Sequence, residues 1–269
     1  MNLKMKRKLV IIMLGNKKRK NIHTTISNPT YRIITAEEPL SIAAESYRRV
    51  KTSLDFLAID KKLQVIQVCS SMQGEGKSVS VLNLAATYAE DKKKILVVDL
   101  DFRRPKLHRS FKVENKDGIV DVLAGHISLE DAMIHGDNGI DCLNRGCKTP
   151  YPTTILGSDS IKELFTKLRK MYDYIIVDCP PILAVSDAVV VSKLCDGCLF
   201  VVSQEKTERN AAKESVKTLK ENGVNLIGCV FVNISEKRSN YYSSKYKYYY
   251  QNYYGKDTNP SAIKQEENK

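Results

Sequence analysis

The chain has 269 residues, 42% of them hydrophobic, and seven cysteines without regular spacing. That composition excludes a disulfide-framed miniprotein and a wholly disordered chain, and fits one large domain with extensions or two small domains. The net charge of +12 is uneven: eight Lys/Arg fall within the first twenty residues, a cluster suited to an anionic surface such as phospholipid headgroups, nucleic acid or an acidic partner.

Residues 1–40 read as a basic N-terminal extension without sustained periodicity. Its one apolar run, 9–14, is far short of the roughly 20 residues that span a bilayer. Lys and Arg flank the run and no small-residue cleavage site follows, so a cytoplasmic protein that touches a membrane without crossing it is predicted. Residues 41–58 place apolar positions at helical spacing behind Ser41, a predicted N-cap. An alternation follows: strand 63–69, helix 77–90, strands 95–99, 174–178 and 198–202, helix 207–222, and strand 226–232. Several of these strands are apolar on both faces, as in a parallel sheet covered by helices. The pattern predicts an α/β, doubly wound fold whose ligands bind at the carboxyl ends of the strands. Cys69, Cys179 and Cys229 sit in apolar runs and are expected in the core. Cys195 and Cys198 form a single CxxC with no second pair and no nearby His, which argues against a metal site.

The first strand runs into Cys69-Ser-Ser-Met-Gln-Gly-Glu-Gly-Lys-Ser78, which opens a helix. Gly76, Lys77 and Ser78 match the end of a P-loop. Gly74 and Gly76 allow the tight turn that aims backbone N–H groups at phosphate oxygens, and the helix N-terminus adds a field favourable to an anion. Lys77 is placed to reach the β- and γ-phosphates, and the Ser78 hydroxyl to bind Mg²⁺. Ser71 stands where the motif usually begins with glycine. The loop set expected around nucleotide is Ser71, Gly74, Glu75, Gly76, Lys77, Ser78 and Val79. Asp178 ends the strand Tyr-Ile-Ile-Val-Asp before Pro180 and Pro181, where a carboxylate would sit beside the P-loop and hold Mg²⁺ directly or through water. Asp99 and Asp101 leave a second strand in Ile95-Leu-Val-Val-Asp-Leu-Asp-Phe-Arg-Arg-Pro105. Two adjacent carboxylates repel unless a cation sits between them, and one of the pair could accept a proton from an incoming hydroxyl.

The C-terminal segment 241–255 reads YYSSKYKYYYQNYYG and carries eight of the fourteen tyrosines. Its tyrosines alternate with Ser, Lys, Gln and Asn and no large aliphatic residue, unlike any core strand. An exposed, mobile tail is predicted, with Tyr241, Tyr242, Tyr246, Tyr248, Tyr249, Tyr250, Tyr253 and Tyr254 as phosphate acceptors.

In order along the chain, Gly74 to Ser78, Asp99-Leu-Asp-Phe-Arg103, Asp178-Cys-Pro-Pro181 and the tyrosine cluster resemble the bacterial tyrosine kinases of capsule and exopolysaccharide synthesis, from about residue 45 to 233 plus the tail. No HRD or DFG motif is present, which excludes a eukaryotic-type kinase. The resemblance implies a P-loop NTPase fold with ATP and Mg²⁺ as cofactors. It makes Lys77 the phosphate ligand, and Ser78, Asp99 and Asp178 the metal-side residues. Asp99 becomes the base with Asp101 in support, leaving open which of the two it is. Arg103 and Asn233 join the nucleotide contacts. The resemblance also implies that Glu45, Arg48 and Lys51, on one helix face, join subunits into a ring, with an octamer as one expected size. Lys51 stands where the family carries Arg, so a point charge replaces a bidentate contact. Gln73 and Val79 replace the usual proline and threonine. The partners implied are a transmembrane activator of the polysaccharide co-polymerase type and a tyrosine phosphatase, with no nucleic acid, at the inner face of the membrane. The expected division is 1–40 extension, 41–235 kinase domain and 236–269 flexible tail. Two other readings share the P-loop: a switch ATPase of the cell-division or plasmid-partition type, and a non-catalytic nucleotide-binding adaptor.

Overall fold

A computed structural model describes residues 10–15, 31–59, 62–136 and 138–234; the tyrosine cluster and most of the basic extension lie outside them. In chain order the elements are β1 (Val10–Gly15), α1 (Ile34–Glu37), α2 (Ile42–Ala58), β2 (Val65–Ser70), α3 (Lys77–Ala89), β3 (Ile95–Asp99), α4 (Ile119–Leu123), α5 (Leu129–Ala132), β4 (Met133–His135), β5 (Ile140–Leu143), α6 (Pro152–Leu156), α7 (Asp159–Met171), β6 (Tyr174–Asp178), α8 (Asp187–Val191), β7 (Gly197–Ser203), α9 (Arg209–Glu221) and β8 (Leu226–Ile234).

The strands form one sheet in the order β1-β8-β7-β2-β6-β3-β5-β4, parallel throughout except for the β4–β5 pair. β2 and β3 are buried along their whole length. Their unbroken Val/Ile/Leu character follows from helices lying on both faces. On one face Tyr47, Val50 and Leu54 of α2 join Val81, Leu82 and Leu84 of α3 over Ile66, Val68, Val97 and Ile176. On the other face Ile161, Leu164, Phe165 and Leu168 of α7, with Val191 and Leu219, close over Val65, Leu96, Ile175 and Phe200.

The α/β, doubly wound fold expected from the alternating elements is present, and Ser41 caps α2 by accepting from the Ala44 N–H at 3.1 Å. Cys69, Cys179, Cys198 and Cys229 are buried. The N-terminal boundary differs from the expected one. Val10–Gly15, within the predicted extension, pairs with β8 as a parallel edge strand. Ahead of residue 41, Thr35 is buried and its backbone N–H donates to Asn83 on α3. Both segments add to the sheet unit, so the ordered fold begins upstream of the predicted start. Among the described residues, no helix is long and apolar enough to cross a membrane.

Candidate functional site: a phosphate-binding loop and two buried carboxylates

β2 delivers the chain into the turn 71–76, which ends at the N-terminus of α3. Gly74 has φ +82° and Gly76 φ +99°, a region that L side chains avoid. A Cβ on Gly76 would also stand 3.1 Å from Val232 Cγ2. Glu75 is buried and folds back to accept the Met72 N–H at 2.9 Å, fixing the turn from inside. Ser71 is buried as well. Arg104 Nη1 donates to Gln73 Oε1 at 2.5 Å, which ties the loop to the turn after β3.

β3 and β6 are neighbours in the sheet, and their register sets Asp99 directly beside Asp178. Both are buried, and burial raises the pKa of each above the usual carboxylate range. For Asp99 the proximity of Asp178 adds to the rise, opposed by backbone donors from Leu107 and Lys106. For Asp178 the charge of Lys77 and the Ser78 hydroxyl oppose it. Ser78 Oγ donates to Asp178 Oδ2 at 2.5 Å. Asp178 Oδ1, Ser71 Oγ and Glu75 Oε1 are buried without a hydrogen-bond partner among the described residues. An unpartnered carboxylate oxygen beside a serine hydroxyl is the donor set a hard divalent cation takes, so the residues present fit Mg²⁺.

Asp99 also has a structural task. Its Oδ2 accepts the N–H groups of Lys106 (2.7 Å) and Leu107 (3.0 Å), and its Oδ1 that of Asp101 (3.2 Å). Asp101 lies past the strand end and accepts the Arg104 N–H at 3.0 Å. Asp99 therefore has a second carboxylate neighbour, Asp178 on the adjacent strand, besides Asp101 two residues on, and both push its pKa up. Strand order decides this, and one strand's sequence does not contain it.

A cavity of about 220 Å³ opens at the loop, lined by Gly74, Gly76, Lys77, Ser78, Val79 and Asn233 among the expected residues. Asn233 has φ +55° and its Nδ2 donates to Ser203 Oγ at 3.2 Å, which orients the amide at the cavity wall. Tyr31, Ile34, Tyr47 and Lys106 also line it and had no signal in the sequence, because tertiary packing alone brings them there. Arg103, expected at the nucleotide, is not among the residues that line this cavity. Its Nε donates to Asp187 Oδ2 at 2.8 Å, and Asp187, fully buried, also accepts from Thr153. An arginine facing a buried carboxylate is held by it. Glu45, Arg48 and Lys51 do share the α2 face, yet they pair within the chain. Arg48 bonds Glu90 through two nitrogens at 2.8 and 2.7 Å, and Lys51 meets Asp91 at 2.6 Å and Asp55 at 2.9 Å. The acceptor tyrosines lie outside the described residues.

A glycine loop at the end of a central parallel strand, a lysine and serine opening the next helix, and strand-end carboxylates define a P-loop nucleotide site. The family model described as an AAA domain matches residues 63–221. Tyrosine-protein kinase YwqD of Bacillus subtilis is 35% identical over 199 residues, covering 74% of this chain and 84% of that protein. A putative tyrosine-protein kinase in the cps region of Klebsiella pneumoniae is 30% identical over 78% of this chain, which spans 29% of that longer protein. The kinase domain of the Escherichia coli tyrosine kinase ETK has the same fold, with a TM-score of 0.75 and 29% identity over 83% of this chain and 89% of that one. MinD of Pyrococcus horikoshii, solved with Mg-ADP, is more distant: TM-score 0.52 and 25% identity over 62% of this chain and 69% of its own. The chain belongs to the family of bacterial tyrosine kinases.

Proposed function

We propose that this chain transfers the γ-phosphoryl group of ATP to tyrosines of its own C-terminal cluster, Tyr241 through Tyr254, and through this controls the synthesis and export of capsular or extracellular polysaccharide. The observation that carries the reading is the pairing of Asp99 with Asp178 at the mouth of the loop that holds Lys77 and Ser78. A phosphoryl transfer needs little covalent help. It needs phosphate held, charge neutralised and the nucleophile oriented.

Lys77 and the loop N–H groups bind and orient the phosphates. Ser78 and Asp178, with Asp99 behind them, would hold Mg²⁺, which when bound neutralises charge on the β- and γ-phosphate oxygens. Asp99 or Asp101 takes the tyrosine proton. Burial by itself favours the protonated form of the Asp99–Asp178 pair, so the base role needs a cation such as Mg²⁺ beside the pair to keep a carboxylate charged. Asn233 reads the base from the cavity wall.

The kinase unit spans roughly 41–235 together with β1 and the segment around Thr35, which pack onto it, and the tyrosine tail follows. It works at the inner face of the membrane on a transmembrane activator of the polysaccharide co-polymerase type, and a phosphatase resets the tail. Subunits join through Glu45, Arg48 and Lys51. Ring formation then requires Arg48 and Lys51 to exchange or share the Glu90 and Asp91 contacts they hold within the chain.

The test is incubation of the full chain with γ-labelled ATP and Mg²⁺. Label on tail tyrosines, absent with Lys77→Ala although its circular dichroism is unchanged, supports the kinase. Free phosphate without phosphotyrosine supports a switch ATPase instead. Label in the Lys77→Ala chain alone would sink the assignment of Lys77.

A further inference from the structure

We infer that the Lys106 ammonium is a contact for the terminal phosphate of a bound nucleoside triphosphate, and that it makes the site prefer a triphosphate over a diphosphate. The inference rests on the phosphoryl-transfer reading above and deepens it, since it names a group that tells the substrate nucleotide from its product.

Lys106 lines the same cavity as Gly74, Lys77, Ser78 and Asn233, but it comes from a different part of the fold, the turn after β3. The sheet order fixes which end of the cavity it holds. Asn233 stands at the end of β8, the glycine loop follows β2, Asp178 ends β6, and Asp99 ends β3 ahead of Lys106. Across the carboxyl edge of the sheet these strands run β8-β7-β2-β6-β3, four steps of about 4.8 Å, or about 19 Å in all. A nucleotide with its base at Asn233 and its phosphates on Lys77 and the loop N–H groups extends its terminal phosphate toward β6 and β3, the side on which Lys106 stands.

The main chain of Lys106 is fixed while its side chain is left for a ligand. Its backbone N–H donates to Asp99 Oδ2 at 2.7 Å, the N–H of the fully buried Leu107 reaches the same oxygen at 3.0 Å, and the Lys106 carbonyl accepts the Arg109 N–H at 3.2 Å. The residue is half-buried, and among the described residues its ammonium forms no ion pair. The neighbouring arginines are committed elsewhere, Arg103 to Asp187 and Arg104 to Gln73. The Lys106 charge does reach the centre: burial raises the pKa of Asp178, and the Lys77 charge, with a smaller share from Lys106, lowers it. An ammonium at a part-desolvated wall without a carboxylate partner is a point charge suited to an incoming anion. The anion that the glycine loop brings to this end of the cavity is the terminal phosphate, which Lys77 and Lys106 then meet from two separate elements. ADP lacks that group, so the Lys106 contact favours the triphosphate alone. Replacing the side chain keeps the backbone N–H that holds Asp99, which separates the loss of charge from any loss of support for the carboxylate.

The experiment titrates the purified full chain and its Lys106→Met, Lys106→Ala and Lys106→Arg variants with Mg²⁺ and either ADP or a non-hydrolysable ATP analogue. Affinities are read by calorimetry at fixed ionic strength, and melting curves are recorded without nucleotide. Lys106→Met is expected to bind the analogue about 10- to 100-fold more weakly, the scale for losing one hydrogen bond to a charged group, while its ADP affinity changes by less than about 2-fold. Lys106→Arg should keep most of the analogue affinity, and the unliganded melting temperatures should match wild type. Lys106→Ala carries the same expectation should the methionine variant fail to fold. Equal losses for the two nucleotides, or no loss for the analogue, would overturn the assignment, and a full loss in Lys106→Arg would overturn charge as its cause. A wild-type chain that binds both nucleotides with the expected difference from its variants, yet makes no phosphotyrosine with Mg·ATP, would overturn the kinase reading and leave the Lys106 contact standing. A wild-type chain that binds neither nucleotide would overturn both.

Discussion

Asp99 and Asp178 stand side by side, but they are held differently, and substitution should separate them. Among the described residues Asp178 accepts only the Ser78 hydroxyl and keeps one oxygen unpartnered. Its charged form is disfavoured by burial, so a neutral amide relieves a cost of folding. Asp178→Asn is expected to lower tyrosine phosphorylation by about 10²–10³-fold, the scale for losing one stabiliser of developing charge, while the melting temperature holds or rises. Asp99 accepts three backbone N–H groups. An asparagine offers one acceptor oxygen and turns a donor toward the others. Asp99→Asn should therefore lose activity and also about 1–3 kcal/mol of stability, the cost of stranding buried donors. Paired thermal melts and rate measurements check both. A destabilised Asp178→Asn, or an Asp99→Asn of full stability, contradicts the division of labour. At this scale the placement of Lys77 and Ser78 at a helix start and of Asp99 and Asp178 at strand ends was legible in the sequence. Tyr31, Lys106 and the buried Asp187 that captures Arg103 carry no local pattern and were not legible.

Among the elements, the amino ends of the strands are locked by one carboxylate. Asp196, just before β7, accepts the N–H groups of Gln64 and Val65 at 2.8 and 2.7 Å and both terminal nitrogens of Arg169 at 2.8 Å. It thereby joins β7, the start of β2 and the end of α7. Burial alone would raise its pKa, but the Arg169 bonds and the two backbone donors prevail and lower it. A depressed folded pKa contributes stability at neutral pH, and that contribution fades as pH falls from the ordinary aspartate value of about 3.9 through the folded value. Asp196→Asn should be less stable than wild type by about 1–3 kcal/mol at neutral pH, with the gap closing in acid. Denaturant melts at several pH values measure it, and a gap that widens in acid contradicts the sign. The edge strand β1 invites a second test. Removing residues 1–15 bares the outer edge of β8, at roughly 1 kcal/mol per lost backbone bond, and open edges promote association. Lower stability with concentration-dependent aggregation is expected, and an unchanged monomeric melt counts against a structural role for β1. The basic flanks of Val10–Gly15 hid this strand, because a run of six residues shows no period and its partner β8 is some 220 residues away in sequence. The stretch between β3 and β6 was equally opaque. Its helices α4, α5 and α6 have four or five residues, too few for a periodic signal. The start of α4 is positioned by remote contacts such as Ile119 N–H to the Asn144 carbonyl at 2.9 Å. By contrast β2, β3, β6 and α3 were legible, since strands buried on both faces and a glycine-bounded helix start leave strong marks.

For the whole molecule the consequential quantity is the charge of the tail. β8 ends at Ile234 next to Asn233 on the cavity wall, and Tyr241 follows seven residues later, within about 25 Å of chain even when extended. Unmodified, the segment 241–254 carries only Lys245 and Lys247 as charges and is cationic. Each phosphate adds about −1.5 to −2 charges, so two already reverse its sign. An anionic tail is repelled by a site that holds ATP phosphates beside Asp99 and Asp178. In the proposed ring, were tails to dock in neighbouring sites, phosphorylation should therefore release them and shift the assembly toward monomer. Truncation after Ser239 is expected to remove nearly all tail-directed labelling while ATP binding, read by nucleotide fluorescence, persists. Mixing full-length Lys77→Ala chain with truncated active chain isolates transfer between subunits, because only the inactive chain then carries acceptor tyrosines. If its tail stays unlabelled although full-length active chain labels itself, transfer between subunits is refuted. Sedimentation of unmodified and fully phosphorylated chain at equal concentration reads the assembly separately, and an unchanged oligomer size after phosphorylation refutes the charge switch while leaving the kinase chemistry intact.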